Sequence, residues 1–247
     1  MNYNTNTSFL LHLADSTLIL AQRNGEWCGH GPVLEQDIAI TNITLDLVGQ
    51  ARNFYQHAAS LINSKTDAQE SEDTLAYLRG ERDFKNPLLC ELPKGDWAFT
   101  ILRQFFFSCF QQLQYEQLMK HSDDQVKAIA EKSLKEIHYH VKWSSEWVIR
   151  LGDGTDESKT RMQNAINEIW PFTGELFMIA DYDDIDVASL KAPWNEKIVP
   201  ILAEAGLSVP ENVFMHSGGK QGTHTEHMGF LLAEMQYLQR AYPNASW

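Results

Sequence analysis

The spacing of the apolar residues is the feature that most constrains the fold. Along nearly all of the 247 residues, apolar side chains recur every three or four positions, as they do on one face of an α-helix. Sustained alternation of apolar and polar residues, the mark of a half-buried strand, is missing. With 43% hydrophobic residues, the chain can bury one sizeable core. We therefore predict an all-α fold in a single domain over residues 1–247.

Turn and capping signals divide this pattern into helices. The predicted helices cover roughly residues 8–23, 35–62, 96–121, 122–151, 156–170, 193–205 and 223–242. Ser122 is the predicted cap of the fourth helix, and the sequence from Thr223 to Glu226 matches a capping box for the last one. Residues 63–95 contain several breakers and a short helical patch, and are interpreted as one long connection. Helices joined by one long crossover predict a ferritin-like helical bundle with additional helices.

The second predicted helix is apolar around most of its circumference. One stripe contains Ile38, Leu45 and Val48, and the remaining surface carries Ile40, Ile43, Leu47, Ala51 and Phe54. A helix of this kind is either central in the fold or covered by a partner.

Charge and cysteine content exclude several classes of function. A formal charge of -13 would repel a phosphate backbone, so we expect no nucleic acid partner. The three cysteines are far apart and lack the Cys-x-x-Cys spacing of a zinc or redox motif, which favours a reduced cytosolic setting. No stretch reaches the roughly 20 apolar residues that span a bilayer, and no basic segment precedes the first apolar run. We expect a cytoplasmic protein without a membrane anchor.

Ferritin-like folds can hold a di-iron centre, and the sequence allows a direct test for one. Such a centre needs glutamates from two helices and a Glu-x-x-His pair from each of two others. None of the nine histidines has an acidic residue three positions before it. The most similar arrangement is Glu136 with His140, which are four residues apart on one helical face. We therefore predict no metal site in this chain.

A polar strip on the second helix places Asp46 where a metal ligand would lie in such a bundle. A buried carboxylate needs a donor partner, because burying an unpaired charge costs several kcal/mol. We predict that Asp46, Glu136 and His140 form an internal polar network in the space that a metal centre would occupy. The alternative, that one or more of them simply faces solvent, stays open.

The segment before the last helix offers further candidates. His224 and His227 are one helical turn apart, but no third zinc ligand stands out. The glycine-rich stretch at 217–222 could place Lys220, Thr223 and His224 around an anionic group such as a phosphate of CoA, at the positive end of the helix. A plain flexible turn is the alternative.

Three consecutive phenylalanines, Phe105, Phe106 and Phe107, lie on the third predicted helix. They cannot all point toward one side of a helix, so part of this surface should be apolar and exposed unless residues 63–95 cover it. We predict that these residues form the interface with a protein partner.

Several segments, taken together and in order, resemble one known family. They are the stretches at 23–32, 45–52, 72–79, 151–156, 218–227 and 232–240, which cover nearly the whole chain. They are similar to the C subunits of the ring 1,2-phenylacetyl-CoA epoxidases. His216-Ser217 and Gly229-Phe230 depart from the expected pattern only locally.

The resemblance implies a non-catalytic structural subunit of a multicomponent monooxygenase. Its implied partners are a related catalytic subunit with a di-iron centre, a small bridging subunit, and a reductase that uses FAD, an iron-sulfur cluster and NADPH. The complex would convert the ring of phenylacetyl-CoA to an epoxide, and this chain itself would carry no cofactor. Two other functions stay open: an oxygenase with an atypical metal site at Asp46, Glu116, Glu136 and His140, and an acyl-CoA-binding module.

Overall fold

The computed structural model describes residues 5–243 and 245, and every regular element in that part of the chain is helical. The α-helices are, in order, α1 (Thr5–Gly25), α2 (Leu34–Asn63), α3 (Glu72–Tyr77), α4 (Leu88–Glu91), α5 (Trp97–Leu118), α6 (Asp124–Gly152), α7 (Asp156–Ile169), α8 (Lys191–Glu204) and α9 (Glu226–Ala241). This confirms the predicted all-α class and is consistent with a ferritin-like helical fold. Within these residues, no helix is both long enough and apolar enough to cross a membrane.

The described residues form two compact units. The first contains the residues up to 93, residues 180–184 and those from 218 onward, and the second contains 94–179 and 185–217. The prediction of a single domain over 1–247 includes residues outside the described set and stays a prediction.

In the first unit, α1 packs along α2. The two helices are joined by only eight residues, 26–33, so they run antiparallel. Nearly all described residues of α1 are buried, and α2 contributes the face with Ile40, Ile43, Leu47 and Phe54, each 0% exposed. The predicted connection at 63–95 contains more helix than expected, since α3, α4 and a 3₁₀ turn at Glu81–Asp83 lie within it.

In the second unit, α5 lies against α6, α7 and α8. Nearly all of α5 is buried, and its centre meets an aromatic cluster. The Trp194 indole N–H donates to the Phe106 carbonyl oxygen at 2.9 Å, and the rings of Phe106, Trp170, Phe177 and Trp194 pack with centroid distances between 5.2 and 5.9 Å. These contacts fix α8 and the turn after α7 on α5.

Two of the predicted helix starts are wrong. Asp123, not Ser122, caps α6, because its carboxylate accepts from the backbone N–H groups of Gln125 and Val126. The last helix begins at Glu226 with Thr225 as its cap, so the predicted box at Thr223 does not form. Gly222 adopts a left-handed conformation (φ 79°), which keeps the chain out of the helix until Thr225. The predicted end of a helix near residue 170, just before Pro171, is confirmed, since α7 ends at Ile169 and a 3₁₀ turn follows.

Candidate functional site

One cluster of buried polar groups in the first unit surrounds Glu91, at the end of α4. Its side chain is 0% exposed and accepts three hydrogen bonds: from the His224 Nδ1–H at 2.6 Å, the Thr225 backbone N–H at 2.6 Å and the Asn86 side-chain amide at 2.8 Å. Charge-assisted bonds of this kind offset the cost of burying a carboxylate. Glu91 therefore holds the start of α9 in place.

His224 is held between two acceptors. Its Nδ1 faces the Glu91 carboxylate, and its Nε2 lies 3.1 Å from the Phe84 carbonyl oxygen. Neither group can donate, so both ring nitrogens carry hydrogen and the ring is an imidazolium. Burial alone would lower the His224 pKa, but the hydrogen bond and charge of Glu91 outweigh it and raise the pKa above its ordinary value.

Arg23, near the end of α1, also contacts the segments around Glu91. Its guanidinium donates through Nε and Nη2 to the Glu91 carbonyl oxygen, at 3.1 and 3.0 Å, and through Nη2 to the His227 carbonyl oxygen at 3.2 Å. A third group, Nη1, donates to Glu26 at 2.7 Å. The fixed donor geometry of one arginine thus connects α1, α4 and α9.

A second buried carboxylate, Asp15, lies in the middle of α1. It is 0% exposed and accepts from the Tyr55 hydroxyl at 2.5 Å, from the Lys85 backbone N–H at 2.8 Å and from the Arg79 guanidinium. Burial, together with the charge of Asp15, raises the Tyr55 pKa well above its ordinary value. The Arg79 guanidinium also stacks 4.3 Å from the centre of the Phe84 ring. These contacts attach residues 79–85 to α1 and α2.

The third buried group is His12, one turn before Asp15. Burial lowers its pKa to about 4, and the positive charge of Lys220 adds to this effect. Its Nδ1–H donates to the Lys85 carbonyl oxygen at 2.7 Å, so His12 is a neutral histidine with a fixed hydrogen position. Its ring packs beside Tyr182, with the centroids 5.6 Å apart.

The structure places Lys220 in a buried ion pair rather than on an open surface. Its Nζ donates to Asp183 at 2.8 Å, and both side chains are 1% exposed. His224 is committed to Glu91, and Thr223 is exposed three residues before α9 begins. An anion could reach Lys220 only if the pair with Asp183 opened, so this geometry does not favour the predicted CoA contact.

The glycines at 218, 219 and 222 are needed because larger residues would collide with the backbone or would be strained at their positive φ angles. A Cβ atom on Gly219 would collide with the Asn86 carbonyl oxygen, and one on Gly222 with the Arg82 carbonyl oxygen. Gly218 and Gly222 also have positive φ angles of 140° and 79°, which favour glycine. The stretch is therefore a close backbone contact, whereas the sequence suggested a flexible loop.

The structure places the three predicted network residues on two helices. Asp46 lies half-buried on α2, while Glu136 is half-buried and His140 fully buried on α6. Within the second unit, burial raises the pKa of Tyr115 of α5 well above its ordinary value, and the charge of Glu136 adds to this effect. The proposal that Asp46, Glu136 and His140 belong to one network stays a prediction.

The predicted partner interface at Phe105, Phe106 and Phe107 is wrong. Their exposed fractions are 1%, 0% and 1%, so no part of them is available to another protein. The sequence argument assumed that only one side of α5 is covered. In fact α5 is buried around its whole circumference, as a central helix is.

No catalytic constellation emerges from these groups. Among residues 5–243 and 245, no cluster of three or more His, Cys, Asp or Glu side chains has an arrangement that could hold a metal ion. Burial raises the pKa of the Cys109 thiol to about 12, which removes its nucleophilic form at neutral pH. A groove of about 520 Å³ beside α9 contains Gln236 and Arg240, and both donate to backbone carbonyl groups of residues 76–79.

Sequence reasoning missed Asp15, Arg79 and Glu91. Both carboxylates did carry a signal, because Asp15 interrupts the apolar run Leu-Leu-His-Leu-Ala-Asp-Ser-Thr-Leu-Ile-Leu, and Glu91 lies within Leu-Leu-Cys-Glu-Leu. A carboxylate in such a run must find donors when the run is buried. Their partners could not be identified, since Glu91 and His224 are 133 positions apart.

Comparison with known proteins assigns the chain to a family. The sequence model for the phenylacetic acid catabolic protein family matches residues 1–247. The chain belongs to the phenylacetic acid catabolic protein family. A curated relative from Escherichia coli (strain K12) is the C subunit of 1,2-phenylacetyl-CoA epoxidase. The two are 47% identical over 252 residues, which cover 98% of each chain. The resemblance stated from the sequence motifs is thereby confirmed.

Proposed function

We propose that this chain is a structural, non-catalytic subunit of a multicomponent oxygenase that converts the ring of phenylacetyl-CoA to an epoxide during phenylacetate degradation. The 47% identity to the C subunit of an epoxidase, over 98% of both chains, is the observation that carries the proposal. Its partners would be a related catalytic subunit with a di-iron centre, a small bridging subunit, and a reductase with FAD and an iron-sulfur cluster that takes electrons from NADPH.

The way the chain uses its charged groups supports a structural role. The buried carboxylates of Asp15 and Glu91 each accept several hydrogen bonds from other segments of the first unit. Carboxylates that are buried and hydrogen-bonded in this way stabilise a fold, and their oxygens face protein donors instead of a metal or a substrate. A catalytic carboxylate would instead face an accessible cavity.

Iron content and turnover test the proposal together. The purified chain alone should contain less than about one iron per ten chains and show no NADPH-dependent consumption of phenylacetyl-CoA, since it lacks a Glu-x-x-His pair. Addition of the catalytic subunit, bridging subunit and reductase should give turnover. Omission of this chain from that mixture should lower the rate by about tenfold or more, because the catalytic subunit would lose its support.

Two results would contradict this assignment. Stoichiometric iron that supports turnover without a second subunit would favour the rival oxygenase with its own atypical site. Full activity of the mixture without this chain would remove its structural role. Titration of the chain alone with CoA provides a control, and saturable micromolar binding would favour the acyl-CoA-binding module.

A further inference from the structure

Helix α2 is apolar on two faces, but the chain covers only one of them. The buried face contains Ile40, Ile43, Leu47 and Phe54, all 0% exposed. The other face carries Leu34, Ile38, Leu45 and Val48, whose exposed fractions are 70%, 53%, 63% and 37%. Isolated exposed apolar residues are ordinary, but four of them in line on one helix indicate a contact surface. The sequence prediction that α2 is central or covered by a partner is consistent with this arrangement.

The spacing of the exposed residues specifies the shape of what would cover them. Leu34, Ile38, Thr41, Leu45, Val48 and Arg52 follow one another at separations of four, three, four, three and four residues. This is the a and d spacing of a heptad, in which each side chain packs between four residues of a facing helix. The exposed apolar row formed by Leu34, Ile38, Leu45 and Val48 is called the seam. From Leu34 to Val48 it is about 21 Å long, enough for four turns of a partner helix. A strand or an irregular loop would not match this spacing.

The charges beside the seam specify the chemistry of the partner. The sequence from 24 to 51 contains no Lys or Arg, whereas the exposed Glu35 and the half-buried Asp37 and Asp46 lie on or beside the exposed face. A second copy would bring the same acidic flanks and another formal charge of -13. Arg52, the basic residue at the end of the seam, is already paired with Glu72 at 3.2 Å. The electrostatics therefore favour a different, basic helix over a second copy.

We propose that the exposed seam of α2, formed by Leu34, Ile38, Leu45 and Val48, binds an amphipathic helix of the catalytic subunit with Lys or Arg residues beside its apolar stripe. This inference rests on the proposed function, which supplies the partner. Binding would bury the apolar seam against the apolar stripe of that helix. It would also bring the basic flanks of that helix close to the negative charges of Glu35, Asp37 and Asp46, although Asp37 already accepts hydrogen bonds from the Gly29 and Gly31 backbone N–H groups.

The test measures affinity between the purified full-length chain and the catalytic subunit. Leu45→Asp and Ile38→Asp should each raise the Kd by about tenfold or more, because each would bury a charge in an apolar contact. Glu35→Lys should weaken binding several-fold at low salt and less at high salt. Val199→Asp on α8 is the matched control: Val199 is 52% exposed, as Ile38 is 53%, and this variant should bind as the wild type does.

Each outcome has a distinct meaning. Leu45→Ser serves as a milder variant, and thermal unfolding of every variant separates a lost contact from a lost fold. Undiminished binding by Leu45→Asp, Ile38→Asp and Leu45→Ser would overturn the inference and leave the proposed function intact. If the wild-type chain itself does not bind the catalytic subunit, the proposed function fails first. A dimer of the chain alone that Leu45→Asp dissociates would assign the seam to a second copy and overturn the inference.

Discussion

At the scale of single residues, two buried histidines contribute to how this chain responds to pH. His224 and His12 lie in the same unit but have opposite environments. His224 faces a carboxylate and a carbonyl group, whereas His12 donates to one carbonyl group and feels the positive charge of Lys220. One histidine is therefore held charged and the other neutral, so they should contribute stability in opposite pH ranges.

The first residue-scale prediction concerns His224. Its folded pKa lies above the ordinary 6.5, so its stabilising effect is fully present below pH 6.5 and is lost as the pH rises through the folded value. The free energy of unfolding of His224→Gln, measured in urea, should therefore differ most from wild type near pH 6 and less at alkaline pH. His30→Gln, at an exposed histidine, is the control. A difference independent of pH would contradict the imidazolium assignment.

The second residue-scale prediction concerns His12. Its folded pKa of about 4 lies below the ordinary 6.5, so the neutral ring favours the folded state above pH 6.5. That stability is lost as the pH falls from 6.5 toward 4, by on the order of 3 kcal/mol over this range. In a His12→Gln variant, the melting temperature should fall less steeply between pH 6.5 and pH 4.5. An identical slope in both proteins would show that another group causes the acid sensitivity.

At the scale of helices, termination depends on neighbours as well as on local residues. Gly152 ends α6 where α8 ends beside it, and a Cβ atom at this position would lie 2.5 Å from the Ala205 carbonyl oxygen. The glycine therefore allows two backbones to approach. Gly49, in the middle of α2, has no atom within 4 Å of the corresponding position.

These two glycines give an element-scale prediction. Gly152→Ala should destabilise the protein by about 1 to 3 kcal/mol, because the added methyl group forces α6 and α8 apart. Gly49→Ala should stabilise it by up to about 1 kcal/mol, because alanine loses less backbone entropy in a helix. Thermal unfolding measures both changes. Equal effects of the two substitutions would show that helix propensity, and not the contact with Ala205, governs position 152.

The helices were largely predictable from sequence, while the polar clusters were not. Spacing and breakers are local signals, so the helix ends predicted near residues 23 and 170 agree with the ends of α1 at Gly25 and α7 at Ile169. The predicted start of α9 lies three residues too early, because the start depends on the left-handed turn at Gly222 and on Glu91, which is remote in sequence. Asp15 and Arg79 are likewise 64 positions apart, and no pattern in the sequence connects them.

At the scale of the whole molecule, the two helices that the sequence shows to be apolar on several sides differ in how far the chain covers them. The phenylalanine cluster of α5, first interpreted as an interface, is fully buried, and the second face of α2 is exposed. Sequence alone shows that a helix is apolar on several sides, but not how many of them its own chain covers. This distinction governs where another protein can bind, and it required three-dimensional structure.

The tight backbone contacts at Gly219 and Gly222 also bear on how relatives of this chain should be interpreted. Any homologue that keeps residues 82–91 against this turn needs glycine at 219 and 222, because a side chain at either position would collide with a backbone carbonyl group. Invariance of glycine at 219 and 222 would therefore be steric in origin. An alignment that ranks positions by invariance would suggest a ligand pocket where the glycines only allow two backbone segments to meet.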